Sequence, residues 1–112
     1  MTRGEVWSIN LDPTVGSEIR KTRPAAILSI DAAGALPLRV VVPFTGWKAH
    51  FSQAPWLVRV VSDRENGLIK DSAADTIQLR SISELRFVER LGVLSASDLG
   101  RIEDAIRLVL GL

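Results

Sequence analysis

The sequence predicts a small, mainly β fold: a strongly bent antiparallel barrel of six short strands with one C-terminal helix packed on it. Short apolar runs, several alternating at period two, occupy most of the chain. Pro, Gly and Asn punctuate them. Only after Ser95 does the apolar period lengthen to three and four residues. At 112 residues the chain can bury one core but not two, so 1–112 reads as a single domain.

From Glu5 to Asp12, Trp7, Ile9 and Leu11 alternate with Ser8, Asn10 and Asp12, the pattern of a half-buried strand. Asp12-Pro13 breaks it. Ala25–Ile30 is nearly all apolar, which suits a short strand buried on both sides, and Pro24 is tolerable ahead of it. Leu38–Thr45 forms the third strand around Val40, Val41 and Val42. Trp56–Val61 alternates again, and Asn66-Gly67 marks a turn because both residues tolerate positive φ. Thr76–Ile82 and Phe87–Leu91 complete the strands, with a turn at Ser83–Leu85. Leu99, Ile102, Ile106, Val109 and Leu110 then line one helical face. Ser95 with Asp98 resembles a capping box at its start, and Gly111 suits its C-terminus.

A content of 46% hydrophobic and 24% charged residues is that of an ordinary globular protein rather than a disordered one. The formal net charge of +1 is too small to mark a nucleic-acid binder by itself. Any anion affinity must come from local placement. The absence of cysteine excludes disulfides and thiol chemistry, and one histidine without cysteine offers no zinc cage. No metal or cofactor is expected. Arg3, Glu5 and Asp12 interrupt the N-terminus, which does not read as a signal peptide. No run reaches the roughly 20 apolar residues of a membrane span. These features predict a soluble, cytoplasmic protein.

The polar stretch from Gly16 to Pro24 interrupts this pattern between two apolar runs and carries Arg20, Lys21 and Arg23. A hairpin turn needs about two to five residues. The connection from Asp12 is about a dozen long, a length associated with function or disorder. Pro24 biases Arg23 toward extended backbone, so the guanidinium leaves a restrained anchor suited to bidentate contact with a phosphodiester. The competing reading of Arg23 is a rim salt bridge to Glu18 or Asp12. Thr45 ends the third strand, where a hydroxyl can donate to a phosphoryl oxygen or simply fill a strand end. Trp7 and Trp56 fall on apolar strand faces and read as core, whereas Trp47, in the second polar connection (46–55), is open to partner binding. His50 reads as a solvated loop residue.

Several segments together resemble the MazF/PemK family of toxin endoribonucleases. They are Arg3-Gly4-Glu5-Val6-Trp7, Asn10-Leu11-Asp12-Pro13-Thr14, Gly16-Ser17-Glu18 and Lys21-Thr22-Arg23-Pro24-Ala25 in the N-terminal part. Val42-Pro43-Phe44-Thr45, Gly67-Leu68, Lys70-Asp71-Ser72, Arg86, Leu91-Gly92 and the closing helix continue the likeness in order. The resemblance implies an SH3-like barrel, a homodimer, and metal-independent cleavage of single-stranded RNA such as mRNA. The 2′-hydroxyl would attack the adjacent phosphorus, leaving a 2′,3′-cyclic phosphate and a 5′-hydroxyl.

The family's active-site arginine and threonine fall on Arg23 and Thr45. Ser17 and Glu18 match loop positions linked to substrate contact or catalysis, and Lys21 and Trp47 join them as candidate substrate contacts. An arginine with a pKa above about 12 is a poor proton shuttle. Arg23 is therefore assigned to stabilising charge in the transition state. The group that takes the 2′-hydroxyl proton is left open, Glu18 being a candidate if the loop folds inward. The resemblance also implies a MazE-like antitoxin whose acidic tail occludes the RNA groove. Two alternatives share the architecture: a CcdB-like toxin that inhibits gyrase through a protein-binding surface, and a catalytically silent RNA-binding barrel. The first needs no phosphate-facing Arg/Thr pair, and the second would bind RNA but generate no cyclic-phosphate product.

Overall fold

The computed structural model describes all 112 residues. One bent antiparallel sheet carries seven strands: β1 (Glu5–Asn10), β2 (Thr22–Ile27), β3 (Leu38–Gly46), β4 (Leu57–Val60), β5 (Ser72–Asp75), β6 (Arg80–Ser83) and β7 (Phe87–Val93). Helix α1 (Ala96–Leu110) closes the chain. The ladder runs β4-β5-β3-β2-β1-β7, with β6 also on β3. The mainly β class with a closing helix is as expected, but the path is open, since β4 and β7 do not pair with each other.

Alternation along the strands builds two cores, one on each side of the sheet. Val6, Ala26, Val42 and Phe44 turn toward α1 and meet Ile102 and Ala105. Ile9, Ala25, Ile27 and Val41 turn the other way, with Leu11 and Ile82. The central strand β2 is therefore buried on both faces over Ala25, Ala26 and Ile27, as its unbroken apolar run predicts.

α1 starts at Ser95, whose Oγ accepts the Asp98 N–H at 3.0 Å. The Asp98 carboxylate does not reciprocate; it pairs with Arg101 at 2.6 Å. The helix ends on Gly111 in the left-handed conformation.

The structure differs from the expected elements in four places. β2 runs from Thr22 to Ile27 rather than over Ala25–Ile30, so Pro24 lies inside the strand opposite Ser8 and not ahead of it. Ser72–Asp75 is a strand although Ser-Ala-Ala-Asp has little strand propensity. Ala73 and Ala74 are fully buried there, and a thin strand is what fits between β3 and β4. The expected strand Thr76–Ile82 is a 3-10 turn (Thr76–Gln78) followed by β6. Asp75 caps that turn by accepting the Ile77 N–H at 3.2 Å, and Thr76 Oγ1 donates to the Trp56 carbonyl at 2.8 Å. Trp56, expected in the core, precedes β4 and is 42% exposed. At the Asn66-Gly67 turn, Gly67 has φ +69°, and an added Cβ would lie 2.0 Å from the Leu91 carbonyl oxygen.

Candidate active site

Arg23 on β2 and Thr45 on β3 are brought to the same cavities just past the end of the β2–β3 ladder. The β2–β3 ladder ends with Ala25 opposite Pro43, and Arg23 and Thr45 each lie two residues beyond that last pair, toward the same end of the sheet. Both line one cavity of about 560 Å³ with Trp47, Lys48, Lys70 and Asp71. Arg23, Thr45 and Lys70 also line a narrower adjoining cavity of about 210 Å³. The β5 pairing completes the wall: Thr45 lies opposite Ala73 and Gly46 opposite Ser72, which carries Lys70 and Asp71 to the rim.

The cavity is cationic although the chain is nearly neutral. Asp71 accepts the Ser62 N–H at 3.0 Å and pairs with Arg59 at 3.1 Å. The Ser62 bond, then Arg59, hold its carboxyl below the ordinary range, so it stays ionised and its charge is balanced. Arg59 also lies 5.4 Å over the Trp47 ring, whose edge meets Phe51. Arg23, Lys48 and Lys70 have no carboxylate within ion-pair distance. The Arg23 side chain makes one hydrogen bond, from Nε to the Arg20 carbonyl at 3.4 Å, so the salt bridge to Glu18 or Asp12 does not form. The half-buried Thr45 hydroxyl has no partner in the chain. An uncommitted guanidinium fork beside a free hydroxyl suits an anion with several oxygens.

The other candidates divide. Trp47 shares the Arg23 cavity. Ser17 and Glu18 line a separate groove of about 460 Å³ with Leu11, Ile19, Pro43 and Gln78. The two spaces are neighbours, because Pro43 is two residues from Thr45 on the same face of β3. Glu18 accepts the Val15 N–H at 2.7 Å within its own loop. Lys21 is exposed, lines neither space, and has φ +70°. Its carbonyl accepts the Leu11 N–H at 2.9 Å where the loop closes.

Residues 2–110 match the family described as PemK-like, MazF-like toxins of type II toxin–antitoxin systems. The chain belongs to that family. It is 37% identical over 118 residues to Endoribonuclease MazF9 of Mycobacterium tuberculosis, with all of this chain and 98% of the relative covered. Endoribonuclease MazF of Staphylococcus saprophyticus is 30% identical over 112 residues, covering 100% of this chain and 92% of the relative. Crystalline MazF from Deinococcus radiodurans superposes with a TM-score of 0.83 at 23% identity, covering 100% of this chain and 97% of that one. A mycobacterial endoribonuclease in complex with its cognate antitoxin gives 0.77 at 18% identity, covering 100% and 96%. At that identity the structural likeness concerns the MazF/PemK fold.

Within this MazF/PemK chain, Lys48 and Lys70 add to the expected site residues, although Lys70-Asp71-Ser72 is among the segments that carry the resemblance. The place of Lys70 at the cavity is not legible locally, because the β5 strand that follows it has no β-branched residue. The available signal was Gly46: an added Cβ would lie 3.2 Å from Lys70 Nζ, so the glycine makes room for that side chain.

Proposed function

We propose that this chain acts as one toxin domain, an endoribonuclease that cleaves single-stranded RNA by transesterification. The reading is supported by the cavity that Arg23 and Thr45 line together and whose cations lack carboxylate partners. The 2′-oxygen attacks phosphorus, the bond to the 5′-oxygen breaks, and the 2′-proton leaves while the departing oxygen gains one. The products carry a 2′,3′-cyclic phosphate and a 5′-hydroxyl. Arg23 contacts the nonbridging oxygens as negative charge builds, and Thr45 donates its hydroxyl to the same group. Lys48 and Lys70 hold the flanking backbone by charge. Glu18 reaches the 2′-hydroxyl only if its loop swings from the neighbouring groove.

The active species is a homodimer, held in check by an antitoxin with an acidic tail that competes with RNA for this cationic surface. No helix is long and apolar enough to cross a membrane, and the site of action is the cytoplasm. Purified protein incubated with a long RNA should give discrete fragments with 5′-hydroxyl ends and cyclic phosphates. Cleavage should run unchanged in EDTA, because Arg23 and Thr45 supply the charge stabilisation that the step draws on. Intact RNA would defeat this reading and favour a protein-binding toxin, whereas fragments with 5′-phosphates would defeat the attack by the 2′-oxygen and mean hydrolysis by water.

A further inference from the structure

We propose that Gln78 is a positioning residue that latches the loop between β1 and β2 to the body and thereby sets the approach of Arg23. Its mechanistic part rests on the role given to Arg23 above. The Gln78 side chain uses both ends of its amide on one stretch of backbone. Oε1 accepts the Ile19 N–H at 2.5 Å, and Nε2 donates to the Ser17 carbonyl at 3.2 Å. A carbonyl and an N–H two residues apart are the pair a neighbouring strand would engage, so one primary amide stands in for a strand edge. The amide orientation follows, since the N–H requires an acceptor and the carbonyl a donor.

The latch has a firm base and a loose load. Gln78 ends the 3-10 turn against which α1 packs, and Thr76 in that turn is buried and bonded to Trp56. The β1 end of the loop is tied by Arg80 to the Leu11 carbonyl and by Arg86 to the carbonyls of Asn10 and Asp12, and the Lys21 carbonyl at the other end accepts the Leu11 N–H. Residues 13–20, by contrast, form hydrogen bonds outside their own loop only with Gln78 and Arg23. Ile19 adds apolar packing against the second core. The Arg23 side chain has its one hydrogen bond to Arg20, in this same arc. Releasing the arc removes the only hydrogen bond the protein offers to orient that guanidinium.

The loop carries its own reporter, because trypsin can cut after Arg20 and Lys21 while Pro24 protects the bond after Arg23. Gln78→Met removes both amide bonds at similar length. Gln78→Glu keeps the acceptor for Ile19 but sets a carboxylate against the Ser17 carbonyl. Trypsin nicking at Arg20 and Lys21 should rise about tenfold in Gln78→Met and less in Gln78→Glu, with the melting transition retained. In RNA cleavage, kcat should fall about tenfold in Gln78→Met and partly recover in Gln78→Glu, while binding of a 2′-O-methyl RNA stays within about twofold.

Unchanged nicking in a folded Gln78→Met protein overturns the latch. Faster nicking with unchanged kcat overturns the link to Arg23, as does a loss confined to KM. Should Gln78→Met fail to fold, Gln78→Glu decides on the same two readouts. Wild-type protein that cleaves no RNA would sink the nuclease reading, and with it the mechanistic half here, while the trypsin comparison still judges the latch.

Discussion

The corner around Glu5 and the cavity around Arg23 treat charge in opposite ways. Glu5 accepts from the Thr2 N–H and the Trp7 indole at 3.0 Å each, pairs with Arg90 at 3.1 Å, and lies 3.5 Å from the amino terminus. Elsewhere Arg3, Arg39, Arg59, Arg101 and Arg107 also have carboxylate partners. Arg20, Lys21, Arg23, Lys48 and Lys70, in the β1–β2 loop and around the cavity, have none. Paired charge that satisfies its neighbours contributes to stability. Clustered unpaired charge costs self-repulsion and makes sense where an anion arrives. The two regions should therefore answer mutation in different assays.

The largest effect is expected at Arg23. Arg23→Ala should lower RNA cleavage by roughly a thousandfold or more. Its melting temperature should stay near that of the wild type, because the side chain makes one long hydrogen bond to its own fold. Arg23→Lys should rescue little, since an ammonium cannot span two phosphoryl oxygens. Thr45→Ala comes next, with kcat reduced roughly 10- to 100-fold and RNA affinity nearly unchanged, and Thr45→Ser retaining most turnover. Single-turnover rates beside binding to a 2′-O-methyl RNA separate the two quantities. A loss confined to affinity would contradict the transition-state role of the hydroxyl.

Glu5 tests the other half of the comparison. Burial by itself would raise its carboxyl, but bonds from Trp7, Thr2 and Arg90 and the nearby amino terminus outweigh it and hold the group at about 2, against 4.5 for the free side chain. The folded value is depressed, so the contribution is full above about pH 4.5 and is lost as pH falls toward 2. Glu5→Gln should cost about 1–3 kcal/mol at neutral pH and flatten the decline in stability across that acid window. Urea midpoints at neutral and acid pH measure this. RNA cleavage at neutral pH should stay within about twofold of the wild type, because Glu5 lines no part of the cavity. An equally steep acid decline in the variant would mean the corner is not where the pH dependence arises.

The same contrast explains what could be read from the sequence. Trp7, Ile9, Val41, Val42 and the α1 periodicity are local patterns, and they located most strands and the helix. Residue chemistry singled out Arg23 through the restraint from Pro24, but nothing local joined it to Thr45; the family resemblance paired them. The Glu5 network was illegible because Arg90 is 85 positions away. Gln78 was hidden because Thr76–Ile82 alternates like a strand, whereas Asp75 turns its first residues into a capped 3-10 turn. The cavity's charge was masked by a net charge of +1, because carboxylates elsewhere without an ion-pair partner, such as Asp31, Asp63, Glu65 and Glu89, offset its cations in the sum.

Lys70 gives the smallest effect and the sharpest test of that masking. Its ammonium lies beside Gly46 at the rim of both Arg23 cavities, with no carboxylate to hold it. If it meets the RNA backbone, Lys70→Ala should weaken binding a few-fold, about equally for all RNA sequences, and leave kcat within about twofold. The slope of log affinity against log salt should become shallower by about 0.7, one single-strand phosphate contact. Arg107→Ala is the matched control: it also removes one cation, but that cation already pairs with Asp104 at 2.8 Å on α1. Its salt slope should not move. If both variants shift the slope equally, RNA responds to total charge, and the difference between paired and unpaired cations has no functional content.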